Sequence, residues 1–219
     1  MSEKPYKLWG MSGSGNCYKP ALLMNQLGVR FVWEEMDTLN GATRTPGFLA
    51  LNPNGRVPLL QLPDGRLLAE SNAMLCYLAE GTPLLPADRY ERALVLQWLF
   101  FEQYSHEPYV ATVRFWIHCL GKRDEWAARI AEARIKGDAA LGVMERQLQQ
   151  TPFLAGAAYS IADIALFAYT HVAEQGDYSL QPYPAIRAWL QRVQAQPGFV
   201  VMPEVIRSSG ATSGSAAPG

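Results

Sequence analysis

Excess charge of either sign is what this 219-residue chain lacks: nineteen Lys and Arg stand against twenty Asp and Glu, a formal net charge of −1. That balance leaves no electrostatic footprint for nucleic acid or an anionic membrane surface. No apolar run reaches membrane-spanning length, and the opening Met-Ser-Glu-Lys-Pro has no apolar core of a secretory leader. Cysteine is scarce: Cys17, Cys76 and Cys119 are far apart and odd in number. They form no C-x-x-C pair and no Cys/His cluster of zinc spacing, so neither a disulfide framework nor a metal site is expected. A cytoplasmic protein is the expectation. What is abundant is apolar content, 49% of residues. A chain of this size can bury a core without staples.

The elements change character near residue 81. Before it, Tyr6 to Gly10 reads as a strand and Met11 to Asn16 as a flexible turn. A helix follows from about Cys17 to Leu27, with Pro20 in its first turn and Gly28 as its stop. Val29 to Glu35 reads as a second strand, and Pro46 to Leu51 as a short helix. Leu59 to Leu62 and Arg66 to Ala69 flank the turn Pro63-Asp-Gly65, and a helix opens at Glu70-Ser71. This order predicts a small α/β layer domain over residues 1–80. Residues 81–89 read as a linker. Residues 90–205 then carry only helical signals: Tyr90 to His118, bent near Pro108; Trp126 to Leu148; Ser160 to Glu174; and Tyr183 to Gln196. Ser160 and Asp163 stand at capping-box spacing. Residues 206–219, rich in Ser, Gly and Ala, are expected to be a disordered tail.

Two stretches carry chemistry. In Asn52 to Glu80, Val57-Pro58 precedes a strand, where an X-Pro bond can be cis. A bend there exposes the Val57 N–H and C=O to an extended ligand, and the helix start at Ser71 gathers free amides suited to an anion. The pair makes a clamp for a small peptide carrying a carboxylate, or simply a hairpin and a capped helix. The second stretch is Ser14-Gly-Asn-Cys17, at the start of the first helix. Ser14 and Asn16 are either caps or donors to a ligand. Cys17 is either a thiol activated by the helix start or a small buried hydrophobe. A redox site would read C-x-x-C; here it reads S-x-x-C, so any thiol chemistry needs a thiol from a ligand.

Taken in order, these pieces resemble a cytosolic glutathione transferase over residues 6–203. The resemblance rests on Phe48-Leu-Ala-Leu-Asn-Pro-Asn-Gly-Arg-Val-Pro58, Glu70-Ser71, Ser160-Ile-Ala-Asp163 and Pro182-Tyr-Pro-Ala-Ile-Arg-Ala-Trp189. It is closest in kind to bacterial, Ser- or Asn-type, theta- or zeta-like members. It implies a thioredoxin-like N-terminal domain, an all-α C-terminal domain, a homodimer, and glutathione as co-substrate with a small hydrophobic electrophile. Carried over, Val57 pairs its backbone with the cysteinyl part of glutathione and Pro58 is the cis-proline. Glu70 meets the ammonium and Ser71 the carboxylate of the γ-glutamyl end. Arg44 and Arg56 are candidate partners of the glycyl carboxylate, or solvated surface cations. Ser14 aligns with the thiol-activating position, with Asn16 second and Cys17 third. In the helical half, Tyr104, His106 and Arg114 are the polar candidates for an electrophile pocket, among aromatic residues whose spacing fits a core equally well. The expected function is a glutathione transferase. A glutathione-dependent disulfide or peroxide reductase and a non-catalytic glutathione or apolar-ligand binder stand as alternatives.

Overall fold

A computed structural model describes residues 4–202; the expected tail over 206–219 lies outside the described residues. The chain divides into two compact units, residues 4–80 with 197–202, and residues 81–196.

The first unit is built on a four-stranded mixed sheet of β1 (Tyr6–Gly10), β2 (Phe31–Glu35), β3 (Leu59–Gln61) and β4 (Leu67–Ala69). Its order is β2-β1-β3-β4, with β1 and β2 parallel and the other pairs antiparallel. Helices α1 (Gly15–Gln26), α2 (Pro46–Leu51) and α3 (Ser71–Ala79) complete it. α1 links the two parallel strands, and its residues from Cys17 to Met24 are all buried. A helix buried on nearly every side carries no amphipathic stripe, which is why its sequence reads as an apolar run. It starts two residues earlier than its composition suggests, because Ser14 caps it. Pro20 therefore stands in the second turn, where it withholds the bond that the Asn16 carbonyl would otherwise receive. β2 begins at Phe31 and not Val29, since residues 28 and 29 close α1: Gly28, at φ +66°, donates to Asn25 O and Val29 to Met24 O. Gly10 ends β1 under the Trp33 indole, where a Cβ would lie 2.3 Å from the ring.

The second unit holds α4 (Arg89–Phe101), α5 (Glu107–Arg114), α6 (Ala127–Leu148), α7 (Ile161–Thr170) and α8 (Pro184–Gln194). The long helix expected from Tyr90 to His118 is interrupted by two π segments, Glu102–His106 and Phe115–Cys119. Pro108 explains the first: it has no N–H for the ladder, and the Glu107 N–H reaches five residues back to Glu102 O. Beyond α7 the chain tightens into a 3-10 turn, Ala173–Gly176, and ends it at Asp177 with φ +62°. Glu145 on α6 caps α8, accepting from the Ala185 and Ile186 N–H groups at 3.0 and 2.9 Å.

Asp163 is the polar centre of this unit and is fully buried. Its Oδ1 accepts from Leu154 N–H and Trp189 Nε1–H, both at 2.9 Å, and its Oδ2 from Ser160 N–H at 2.9 Å. One carboxylate thus closes the capping box of α7, a loop and the α8 tryptophan. Replacing Asp163 with Ala strands three buried donors at about 1–3 kcal/mol each, partly offset by removal of a buried charge. We expect Asp163→Ala to lower unfolding free energy by about 3–5 kcal/mol, read by denaturant titration.

Burial pushes the Asp163 carboxyl up to about 6. Burial likewise pushes the His171 imidazole, at the C-terminal end of α7, down to about 4, although its ring donates to Phe167 O at 2.8 Å. The two groups act in opposite senses. For His171 the unfolded chain binds a proton below pH 6.5 that the folded chain refuses until about 4. Stability is therefore lost as pH falls through that window, by up to about 3 kcal/mol. For Asp163 the folded chain holds the extra proton, so its contribution is present at low pH and lost as pH rises from 3.8 to about 6. His171→Phe, which keeps the ring stacked on Phe167, removes only the first effect. The unfolding free energy at pH 7 minus that at pH 4.5, read by denaturant titration, is expected to be about 2 kcal/mol lower, sign included, in this variant than in the parent. Equal differences in the two proteins would refute the assignment.

Candidate active site

The sheet register brings three loops to one place. Leu59, the first residue of β3, pairs with Trp9 at the end of β1 and with Ala69 at the end of β4. The turn after β1, the bond before β3 and the residue after β4 therefore emerge together at one end of the sheet. These are the Ser14 turn, Val57-Pro58 and Glu70-Ser71.

Val57-Pro58 is cis. The Val57 side chain packs against the cluster of Trp9, Phe48 and Leu59. Its backbone N–H and C=O have no hydrogen-bond partner among the described residues. The loop before it is fixed from within. Buried Asn52 donates to Arg56 O at 2.8 Å and accepts from Asn54 N–H at 3.2 Å. Gly55 adopts φ +59°, and a Cβ there would meet Thr43 O at 3.0 Å. Arg44 donates to Asn54 O at 3.2 Å, so it braces this loop, while Arg56 is exposed beside it.

Glu70 precedes α3 at φ +69° and ψ +112°. A non-glycine residue there costs about 1–3 kcal/mol, strain that tends to mark functional sites. No side chain caps α3, and the Glu70 carboxylate makes no ion pair or hydrogen bond among the described residues. Ser71, the first residue of α3, is nearly buried, and its hydroxyl donates to Asn16 Oδ1 at 3.3 Å. That bond ties the start of α3 to the start of α1.

The Ser14 turn is held from β2. Glu35 accepts from the Ser12 N–H and hydroxyl at 2.8 and 2.9 Å, and from Trp33 Nε1–H at 2.7 Å. Ser14 Oγ accepts from the Cys17 N–H at 3.4 Å. That use occupies a lone pair and leaves the hydroxyl proton for another acceptor; the Cys17 sulfur is such a neighbour within the chain. Cys17 goes the other way. Its side chain is wholly buried, its sulfur accepts from the Met11 N–H at 3.4 Å, and burial pushes the thiol up to about 11. It is protonated at neutral pH and faces the interior, which corrects its standing as a catalytic candidate: packing against the sheet outweighs the pull of the helix start.

Within the second unit, His106 and Arg114 are also buried and serve internal hydrogen bonds, His106 with the Thr170 hydroxyl at 3.0 Å and Arg114 with Gln175 Oε1 at 2.7 Å. Both bonds satisfy polar groups inside a helical core. Tyr104 is 84% exposed.

One residue of the site escaped the sequence reading. Lys19, on α1, has no exposed surface, and its ammonium donates to Asn16 Oδ1 at 2.8 Å and to Ser71 Oγ at 3.5 Å. The available signal was a lysine inside Tyr18-Lys-Pro-Ala-Leu-Leu-Met24, where every neighbour is apolar or aromatic.

The family model for the glutathione S-transferase N-terminal domain matches residues 13–80, and that for the C-terminal domain residues 127–192. The chain is 33% identical to glutathione S-transferase 3 of Zea mays, over 89% of this chain and 91% of that protein. It is 30% identical to the disulfide-bond oxidoreductase YfcG of Escherichia coli, over 83% and 87%. A crystal structure of a glutathione S-transferase from Pseudomonas fluorescens Pf-5 superposes with a TM-score of 0.89 at 51% identity, covering 91% of this chain and 99% of that one. With the mixed sheet, the cis Val57-Pro58 bond and the helical second unit, these matches establish that the chain belongs to the glutathione S-transferase family.

Proposed function

We propose that this protein is a glutathione transferase of the Ser/Asn type, a cytoplasmic homodimer that activates the glutathione thiol for attack on a small hydrophobic electrophile, as in detoxification. The observation that carries the reading is the unpaired Val57 backbone, set beside an uncapped α3 start and the Ser14 hydroxyl at one end of the sheet. The Val57 N–H and C=O pair with the cysteinyl residue as an added strand would. The amides at the start of α3, with Ser71, receive the γ-glutamyl carboxylate, and Glu70 receives its ammonium. Arg56 is the more available cation for the glycyl carboxylate, because Arg44 is engaged with Asn54 O. Ser14 donates to the sulfur, and Asn16 is the second donor.

The magnitude of thiol activation is limited. A free thiol of pKa ~8.5 is about 3% thiolate at pH 7. One charge-assisted hydrogen bond of about 1.5–3 kcal/mol lowers that pKa by up to ~2 and raises the thiolate to roughly 75%. Nucleophilicity falls with basicity at a slope of ~0.5, which returns about tenfold of the gain. Holding the electrophile beside the sulfur must supply the larger part of the acceleration. Ser14→Ala should therefore retain binding to immobilised glutathione and lose a few-fold in kcat/KM with an aryl halide at neutral pH. Unchanged turnover would remove Ser14 from the role.

A second reading, reduction of disulfides by glutathione, is favoured by the likeness to the oxidoreductase YfcG. Since the Cys17 thiol is buried and protonated, both thiols must then come from glutathione: two molecules are oxidised to their disulfide as one substrate disulfide becomes two thiols. High turnover of a small disulfide with none on aryl halides would select this reading.

The homodimer has support on α4, where Tyr90 and Phe100 are 72% and 71% exposed. A partner face along this helix would cover both side chains, which lie about 15 Å apart on its axis. Phe100→Asp is expected to shift the protein from dimer to monomer in light scattering, with helix content by circular dichroism unchanged.

A further inference from the structure

The roles assigned above leave unused Lys19, a charged side chain of the first unit that has no exposed surface. Burying an ammonium is costly unless hydrogen bonds compensate. Lys19 spends two of its donors on Asn16 Oδ1 and Ser71 Oγ, at 2.8 and 3.5 Å. The Ser71 hydroxyl also donates to that same Asn16 oxygen, at 3.3 Å. The three side chains form a closed knot between the first turn of α1 and the first residue of α3.

The chemistry of this knot fixes an orientation. An ammonium donates and cannot accept. The carboxamide atom of Asn16 beside Lys19 is therefore the oxygen, and the N–H pair lies on the other branch of the amide. The reverse flip would set N–H groups against the ammonium, donor against donor. An Asn without such a neighbour can present either branch, and an oxygen turned toward a thiolate repels it. We propose that Lys19 is a positioning residue for the glutathione site: its buried ammonium locks the Asn16 carboxamide and couples the thiol end of the site, at Ser14 and Asn16, to the γ-glutamyl end, at Ser71. This inference rests on the glutathione reading above. Lys19 touches no substrate atom in this role; it acts through Asn16 and Ser71.

The test begins with glutathione binding to the parent protein by calorimetry. No binding there would overturn the glutathione reading and this inference with it. With binding established, Lys19→Met keeps the length of the side chain and removes its charge and donors. The thiol pKa of bound glutathione, followed by thiolate ultraviolet absorbance, is expected to rise by about one unit, and glutathione affinity to fall about tenfold. Lys19→Arg, which keeps charge and donors, should recover part of both. A lysine that serves folding alone would lower the thermal midpoint and leave the bound thiol pKa where it was. A folded Lys19→Met protein with parental thiol pKa and affinity would therefore overturn the inference. Should that variant fail to fold, a neutron crystal structure of the parent with S-methylglutathione, which shows the amide deuterons directly, decides. Lys19 Nζ is expected within hydrogen-bond distance of Asn16 Oδ1, with the amide nitrogen toward the ligand; the opposite flip refutes the role.

Discussion

The amides at a helix start must find acceptors, and in this protein that constraint separates structure from site. The first N–H groups of a helix have no partner within it. In the second unit the protein supplies the acceptors itself at α4, α7 and α8, while α5 and α6 have no side-chain cap. Ser160 and Asp163 close α7, Glu145 reaches across from α6 to close α8, and Asp88 accepts from the Tyr90 and Glu91 N–H groups to close α4. In the first unit Ser14 caps α1 and Thr45 caps α2. Within the first unit α3 is the exception: the residue before it is Glu70, held at positive φ with its carboxylate turned to no cap. On the proposed reading, this uncapped start at a strained residue receives an anion from outside, and the sheet brings it beside the Val57-Pro58 bond, because Leu59 pairs with both Trp9 and Ala69.

The same contrast explains what was legible in the sequence. Capping chemistry, turns and prolines are local, so Ser160-x-x-Asp163, the Pro63-Asp-Gly65 hairpin, Pro46 to Leu51 and the cis bond at Val57-Pro58 could be read from neighbours along the chain. Tyr6 to Gly10 ends at the residue expected, since Gly10 both stops the strand and admits the Trp33 ring. Side-chain direction is not local. Cys17 and Lys19 follow the same cap on the same helix, and nothing in their spacing says that both turn inward. Nor does helical periodicity distinguish a polar residue in a pocket wall from one that satisfies a buried partner. His106 and Arg114 found Thr170 and Gln175, 64 and 61 residues away. The π segments around α5 were hidden for a related reason. Pro108 signals a break, but whether the ladder kinks or slips to a five-residue bond depends on the helices packed around it.

The inward turn of Cys17 has a consequence for chemistry that the S-x-x-C pattern alone left open. A thiol raised to about 11 is almost wholly protonated at neutral pH, and its Sγ is spent on the Met11 N–H. On the proposed reading, the turn offers a ligand thiol hydrogen-bond donors, and Cys17 is no rival nucleophile. That restriction favours chemistry in which the ligand's sulfur is the reactive atom, whether it attacks a carbon electrophile or another sulfur. It also shifts the burden of selectivity. A site whose donors are one hydroxyl and one carboxamide can tune the thiol only within the few-fold window left after nucleophilicity falls with basicity. The orientation of those donors becomes the variable that matters, since a carboxamide offers attraction through one branch and repulsion through the other. In the role proposed for Lys19, a buried ammonium is a costly way to settle that choice, and it does so with a group that donates and cannot accept a hydrogen bond.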